Sequence, residues 1–231
     1  MESSGAGVPL NPGVAGVHVD VAIPPEPPEI GARSLYVASR LLAGASTFFF
    51  LAFLFAYFYL RSLNESGMWH PANVKPDQTL GAVVVACVVV SALLAIVAGR
   101  QMRGHSRGWV VAASGSLLLG LAAVAVQCIQ YTVQHFGPTD GGYASVFFGW
   151  TAMYAVGVLI AMYWLEVQVA TLARAPRGTR VEAELTAGGH EPPRGAAADA
   201  DLTTAGYEAA SFYWSFLAGI GVLLWVVLYL A

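Results

Sequence analysis

The chain has 231 residues, 57% of them hydrophobic and 11% charged, with a mean hydropathy of +0.62. That balance excludes an ordinary soluble domain and describes an integral membrane protein. The net charge of -3 and the scatter of eleven Lys and Arg over the loops exclude a nucleic-acid-binding surface.

In chain order, residues 1–32 are rich in Gly, Val and Pro and end in the run Pro24-Pro25-Glu26-Pro27-Pro28-Glu29. They lack the basic start and apolar centre of a signal peptide, so the expectation is a retained, disordered cytoplasmic tail. Residues 41–60 form an uncharged apolar run entered through Arg33 and Arg40 and closed by Arg61, which predicts a first span over 35–61. A polar loop with Gly67, Pro71 and Pro76 stops that helix, and Trp69 falls where an interfacial anchor would. A second span is predicted over 79–99, followed by a basic turn with Arg100, Arg103 and Arg107. The third runs over 108–135 and the fourth over 143–174, joined by a loop so short that the two must be antiparallel neighbours. Residues 175–208, dominated by Ala, Gly, Pro and charges, predict a flexible cytoplasmic linker, and 211–230 the fifth span, with almost no tail after it.

Spans of this length suit helices, which satisfy their own backbone in lipid. The fold class is therefore all-α, a polytopic bundle of five transmembrane helices. An odd number of spans puts the termini on opposite sides. Arg33, Arg40, Arg100, Arg103, Arg107, Arg174, Arg177, Arg180 and Arg194 fall on the amino-terminal side, against Arg61 and Lys75 opposite. This asymmetry makes the N-terminus cytoplasmic and the C-terminus exterior.

On the third span Gln127, Gln130, Tyr131, Gln134 and His135 recur three and four residues apart, on one face. Such a stripe points away from lipid. It serves either as a relay or lipid-headgroup site or, as polar residues in membrane helices commonly do, as interhelical hydrogen bonding. His135, at the helix end beside Gly137 and Pro138, reads as interfacial, because one histidine without a second donor is no metal site. Glu166 is the acidic residue set within an apolar run; its distance from Tyr143 puts it near the inner interface, as a boundary carboxylate before a proton-collecting group. Ser116 with Gly120, and Ser215 with Gly219, make small-xxx-small pairs suited to close helix contact. Phe48, Phe49, Phe50, Phe53, Phe55, Tyr57, Phe58 and Tyr59 cover the whole circumference of the first helix, so part of that ring must meet lipid or a partner. Cys87 and Cys128 read as small buried hydrophobes, and the chain offers no paired histidines, CxxC, CxxCH or phosphate loop. No catalytic, cofactor or metal site is expected.

These features together resemble the cytochrome c oxidase subunit 3 family of the haem-copper terminal oxidases, in its short five-helix form. The resemblance extends from about Ser39 to Leu230. It is carried by the run from Phe48 to Phe58 followed by Leu60-Arg61, by Trp69-His70-Pro71, and by Gly120 with Gln127 and Tyr131. Tyr143-Ala144-Ser145-Val146-Phe147-Phe148 with Thr151 and Val158 is similar to the family's fourth-helix segment, and Phe212-Tyr213-Trp214-Ser215-Phe216 to its YYWHF entry to the last helix. The departures remove ionisable groups. Ser46 stands for the family's first-helix acid and Gln130 for its third-helix glutamate; Tyr154 and Gly157 replace two histidines, and Ser215 and Ala218 a histidine and an aspartate.

The resemblance implies a non-redox accessory subunit in a bacterial-type cytoplasmic membrane, with haem and copper held in partner subunits. Its partners would be oxidase subunit I as main contact, subunit II and other respiratory subunits, and phospholipid between the helices. It would steady subunit I; the substitutions leave lipid and scaffolding roles and remove the acids that proton entry would use. Tyr154 and Trp69 join the third-helix stripe as polar positions for lipid or subunit contact. A quinol oxidase or a nitric oxide reductase would accommodate a similar partner subunit. From another class come a stand-alone transporter, for which paired broken helices and an internal repeat are lacking, and a scaffold outside any oxidase.

Overall fold

The computed structural model describes residues 28–64, 67, 69–71, 74–104, 106, 108–174 and 194–230. Among these, all regular structure is helical: α1 (Pro28–Ser62), α2 (Gln78–Arg103), α3 (Trp109–Val133), α4 (Gly142–Arg174) and α5 (Arg194–Trp225), which runs on into a π-helix over Val226–Leu230. Each of the five is long and apolar enough to cross a membrane.

Local chemistry sets the helix ends. Asp77 caps α2 by accepting from the Thr79 and Leu80 amides at 2.8 and 3.1 Å. Past the end of α3, the Gly137 amide donates to Asp140 Oδ2 at 2.7 Å, and Gly141 adopts φ +140°, which a side chain would resist, to turn the chain into α4. The loop end of the bundle thus carries the α1–α2 and α3–α4 connections and the end of α5. The basic end carries the α2–α3 turn with Arg100 and Arg103.

α5 packs against α1, α2 and α4, while α2 packs on α3, and α4 on both α3 and α1. Its buried Tyr207, Trp214 and Leu217 face these neighbours. Trp214 donates to Ser91 Oγ at 3.0 Å, and Ser91 donates to the Ser116 carbonyl at 2.6 Å, so one buried chain ties α5, α2 and α3 together. Gly120, one turn after Ser116, lets Met162 and Trp214 approach to where a Cβ would stand 2.9 and 3.0 Å from them. The other small pair behaves differently, for nothing lies within 4 Å of a Cβ at Gly219.

The last helix departs from its expected bounds. It begins at Arg194, so the second half of the expected linker is helix, and α1 likewise begins at Pro28 instead of near 35. Ala-rich sequence favours helix without any apolar stripe. Packing then holds this segment: Tyr207 is fully buried and donates to the Ala95 carbonyl at 2.8 Å, Gly206 accommodates the Gln168 amide, and Glu208 pairs with Arg103 at 2.9 Å. The remainder of the expected tail and linker, residues 1–27 and 175–193, lies outside the described residues.

The aromatic ring of α1 divides as its circumference requires. Phe50 and Tyr57 are buried against α4 and the loop, while Phe48, Phe55, Phe58 and Tyr59 are exposed. Trp69 is no outward-facing anchor. It is buried, edge-on to Tyr57 and Tyr143, and its carbonyl accepts from the Tyr143 amide at 2.9 Å, clamping the loop onto the start of α4. Cys87 is half-buried and Cys128 exposed, so Cys128 is not the buried hydrophobe its neighbours suggested.

Candidate functional site

The bundle's polar side chains gather at the loop end, around the last two turns of α3. Gln130 is fully buried at their centre. Its amide nitrogen donates to the Asp77 carbonyl at 3.1 Å and to the Tyr229 hydroxyl at 2.7 Å, and its oxygen accepts from Gln127 Nε2 at 3.1 Å. One residue therefore joins α3 to the start of α2 and to the π-helix that ends α5. A second strand of bonds runs from the Tyr131 hydroxyl to Thr151 Oγ1 at 2.7 Å and from Thr151 to the Phe147 carbonyl at 2.6 Å, tying α3 to α4. Tyr143 donates to the Leu228 carbonyl and Gln78 to the Tyr229 carbonyl, so the donors to these two π-helix carbonyls come from neighbouring helices. Tyr154, deeper in the bundle, donates to the Leu217 carbonyl at 3.0 Å.

Glycines admit this arrangement. A Cβ at Gly81 would collide with the Tyr229 ring, and one at Gly221 with the Tyr154 hydroxyl. Each tyrosine thus lies directly on the backbone of a facing helix.

The stripe read along α3 is therefore only partly one unit. Gln127, Gln130 and Tyr131 face the interior; Gln130 and Tyr131 bond across it, and Gln127 donates to Gln130 on its own helix. Gln134 closes α3 in extended conformation, with both amide atoms buried and without a partner among the described residues. His135 is exposed just beyond the helix, and Trp69 belongs to the aromatic clamp. Glu166 is exposed on α4, away from the network and near the level of the Arg103–Glu208 pair, because Gln168 packs on Gly206 and Trp164 on Tyr213. Two participants gave no signal along their own segments. Tyr229 and Tyr207 lie in stretches whose apolar character is uniform or absent, and only their partners on other helices define their parts. Ser46 bonds the Tyr213 hydroxyl at 2.9 Å between α1 and α5.

Chemically the cluster is a set of neutral donors and acceptors, several of which bond one another across helices. Among the described residues no three His, Cys, Asp or Glu side chains converge into a group able to hold a metal ion.

Comparison with known proteins places this bundle. Residues 32–176, which span α1 to α4, match the family described as Cytochrome c oxidase subunit III. Relatives bearing the name Cytochrome c oxidase subunit 3 include that of Latimeria chalumnae, 26% identical over 204 residues that make up 85% of this chain and 69% of the relative. The Gallus gallus protein is 26% identical over 205 residues, 86% and 69% of the two chains, and the Cyprinus carpio protein 27% identical over 204 residues, 85% and 69%.

Proposed function

The chain belongs to the cytochrome c oxidase subunit III family, and from that premise we propose that it acts as a scaffold that steadies the catalytic subunit I and holds phospholipid at its surface. It is an accessory subunit III of a haem-copper oxidase, a multi-pass membrane protein that works in a complex with other oxidase subunits. In the proposed reading, subunit I is the main contact and subunit II a further partner. The membrane is a bacterial-type cytoplasmic membrane. Haem and copper belong to the partner subunits, where electrons from cytochrome c reach oxygen, and this chain supplies shape and stability.

The observation that carries the scaffold reading is the division of labour between interior and perimeter. The polar groups of α3 are engaged with the bundle's own helices, and the outer faces are large and apolar: Phe48 is 78%, Val111 77% and Phe55 70% exposed. Only lipid chains or another membrane protein can cover such a surface. Gln134 adds a specific point at the loop end, a buried amide whose partners are not found within the described residues. We place it, with His135, at the edge where a headgroup or a neighbouring subunit supplies hydrogen bonds.

A tag at the C-terminus and extraction in mild detergent from native membranes test the proposal directly. The expected preparation contains a large polytopic partner and shows haem bands in a reduced-minus-oxidised optical spectrum, whose positions identify the haem type. Phospholipid should co-purify with it. A colourless protein that purifies alone with its lipid retained would overturn the scaffold assignment and favour a stand-alone membrane protein.

A further inference from the structure

Beneath the Gln130 knot, between α2, α3, α4 and the end of α5, lies a small cavity lined by Gln127, Thr151, Tyr154, Trp225 and Tyr229 and floored by Gly81, Val84 and Gly221. A second small cavity shares Val84, Gln127 and Tyr154 with it and continues toward Val88 and Val158. The hydrogen-bonding groups on these walls are unevenly used. Trp225 has its indole N–H buried with no acceptor among the described residues. The Tyr229 hydroxyl accepts from Gln130, and that bond leaves its own proton uncommitted. Gln127, 6% exposed, donates to Gln130, while its carbonyl oxygen accepts from no donor among the described residues. Tyr154 gives its proton to Leu217 and keeps its lone pairs. Thr151 accepts from Tyr131 and donates to Phe147, so its proton is committed.

The cavity wall therefore presents donors without acceptors, Trp225 and Tyr229, beside acceptors without donors, Gln127 and Tyr154. Their complement is a ligand that accepts twice and donates twice. We propose that this cavity binds a water molecule, which accepts from Trp225 and Tyr229 and donates to Gln127 and Tyr154.

Two further features point to the same place. The backbone of α5 changes to a π-helix over Val226–Leu230, immediately after Trp225 and including Tyr229, and π turns recur where a helix gives up regular bonding for a bound group. The glycine notches at 81 and 221 hold Tyr229 and Tyr154 against the cavity's backbone walls, so the pocket is built from matched partners on four helices. A water there satisfies groups that would otherwise be orphaned in a low-dielectric interior, and buried waters typically make about three such bonds. It also connects the cavity to Gln130, and through Gln130 to the Asp77 carbonyl at the loop end.

The test reads the indole N–H stretch in infrared spectra of the assembled complex in native lipid. Subtracting the Trp225→Phe spectrum from wild type isolates the Trp225 band. Trp150, whose N–H is also buried without an acceptor among the described residues but which lines neither cavity, provides an unbonded reference through Trp150→Phe, with indole in an apolar solvent as a second. The expected Trp225 band is broader and lower in frequency than both references, and it moves back toward them in Gln127→Leu. Coincidence of the Trp225 band with the free-indole frequency overturns the proposal, since the cavity is then dry. A lowered band unaffected by Gln127→Leu overturns it as well, because the N–H is then bonded to lipid or a partner chain. Should Gln127→Leu fail to assemble, a map of the wild-type complex that resolves other buried waters decides. Density bridging Trp225 and Gln127 supports the site, and its absence removes it.

Discussion

Gln130 has more to lose on substitution than any polar neighbour. Gln130→Leu keeps the volume but leaves the Tyr229 hydroxyl without its donor and Gln127 without its acceptor, while the Asp77 carbonyl keeps only the Gly81 amide. An orphaned buried polar group costs about 1–3 kcal/mol, so the thermal midpoint of the assembled complex should fall clearly. Gln134→Leu is expected to cost less in the complex. Its amide bonds nothing among the described residues, so the substitution breaks no bond within this chain and loses only those that the proposed headgroup or neighbouring subunit would supply. The pair is best measured side by side by thermal unfolding of the complex. A strong loss from Gln134→Leu with no loss from Gln130→Leu would invert the hierarchy argued here and move the essential bonds to a partner. Spacing along α3 made both residues visible in the sequence as members of one stripe. It could not separate them, since the difference lies in Asp77 and Tyr229, which come from other helices.

At the scale of the element, membrane helices associate without a hydrophobic drive between them, so close approach and a few hydrogen bonds decide the packing. The α4–α5 contact illustrates this at Gly221, where only a hydrogen leaves room for the Tyr154 hydroxyl that bonds the Leu217 carbonyl. Gly221→Ala should destabilise by about 1–3 kcal/mol, the usual range for overpacking. Tyr154→Phe removes the atom that the new methyl group meets, so the double variant should recover part of that loss. A double-mutant cycle on the thermal midpoint measures the coupling, and strict additivity would show that the two do not meet. The sequence marks Tyr154 as a polar position but not the glycine it meets. An apolar helix has no polar face to mark which side it buries, so Gly219, an equally plausible small residue, proves open while Gly221 is the notch. The start of α5 was hidden for the converse reason. Residues 194–206 carry no large apolar residue besides Leu202, and the signal that they are helical rests on alanine propensity and on Tyr207 reaching Ala95 on α2. The five spans themselves were legible, because length and hydropathy are properties of one segment at a time.

For the whole molecule the remaining question is which end faces the cytoplasm. The bundle is chemically asymmetric along its axis. At the loop end neutral amides and phenols bond to one another around Gln130, and Arg61 and Lys75 are the basic residues of that side. At the other end Arg103 pairs with Glu208, Glu166 stands exposed near the same level, and Arg40 lies over the rings of Tyr36 and Phe212. These charges form a belt where one would expect headgroups. α4, with 33 residues, is about 50 Å long at 1.5 Å per residue, against about 30 Å of hydrocarbon, so a carboxylate two turns from its end can reach the interface. Positively charged short loops are retained in the cytoplasm during insertion, so we expect the basic end inward and the Gln130 knot outward. Because five helices cross, the end of α5 then lies outside. A phosphatase reporter, active only beyond the membrane, fused after Ala231 is expected to be active, and a reporter that fluoresces only in the cytoplasm is expected to be dark there and bright at the N-terminus. The reverse pattern would turn the bundle over, placing Gln130 and the proposed water beside the cytoplasm and the Arg103–Glu208 belt outside.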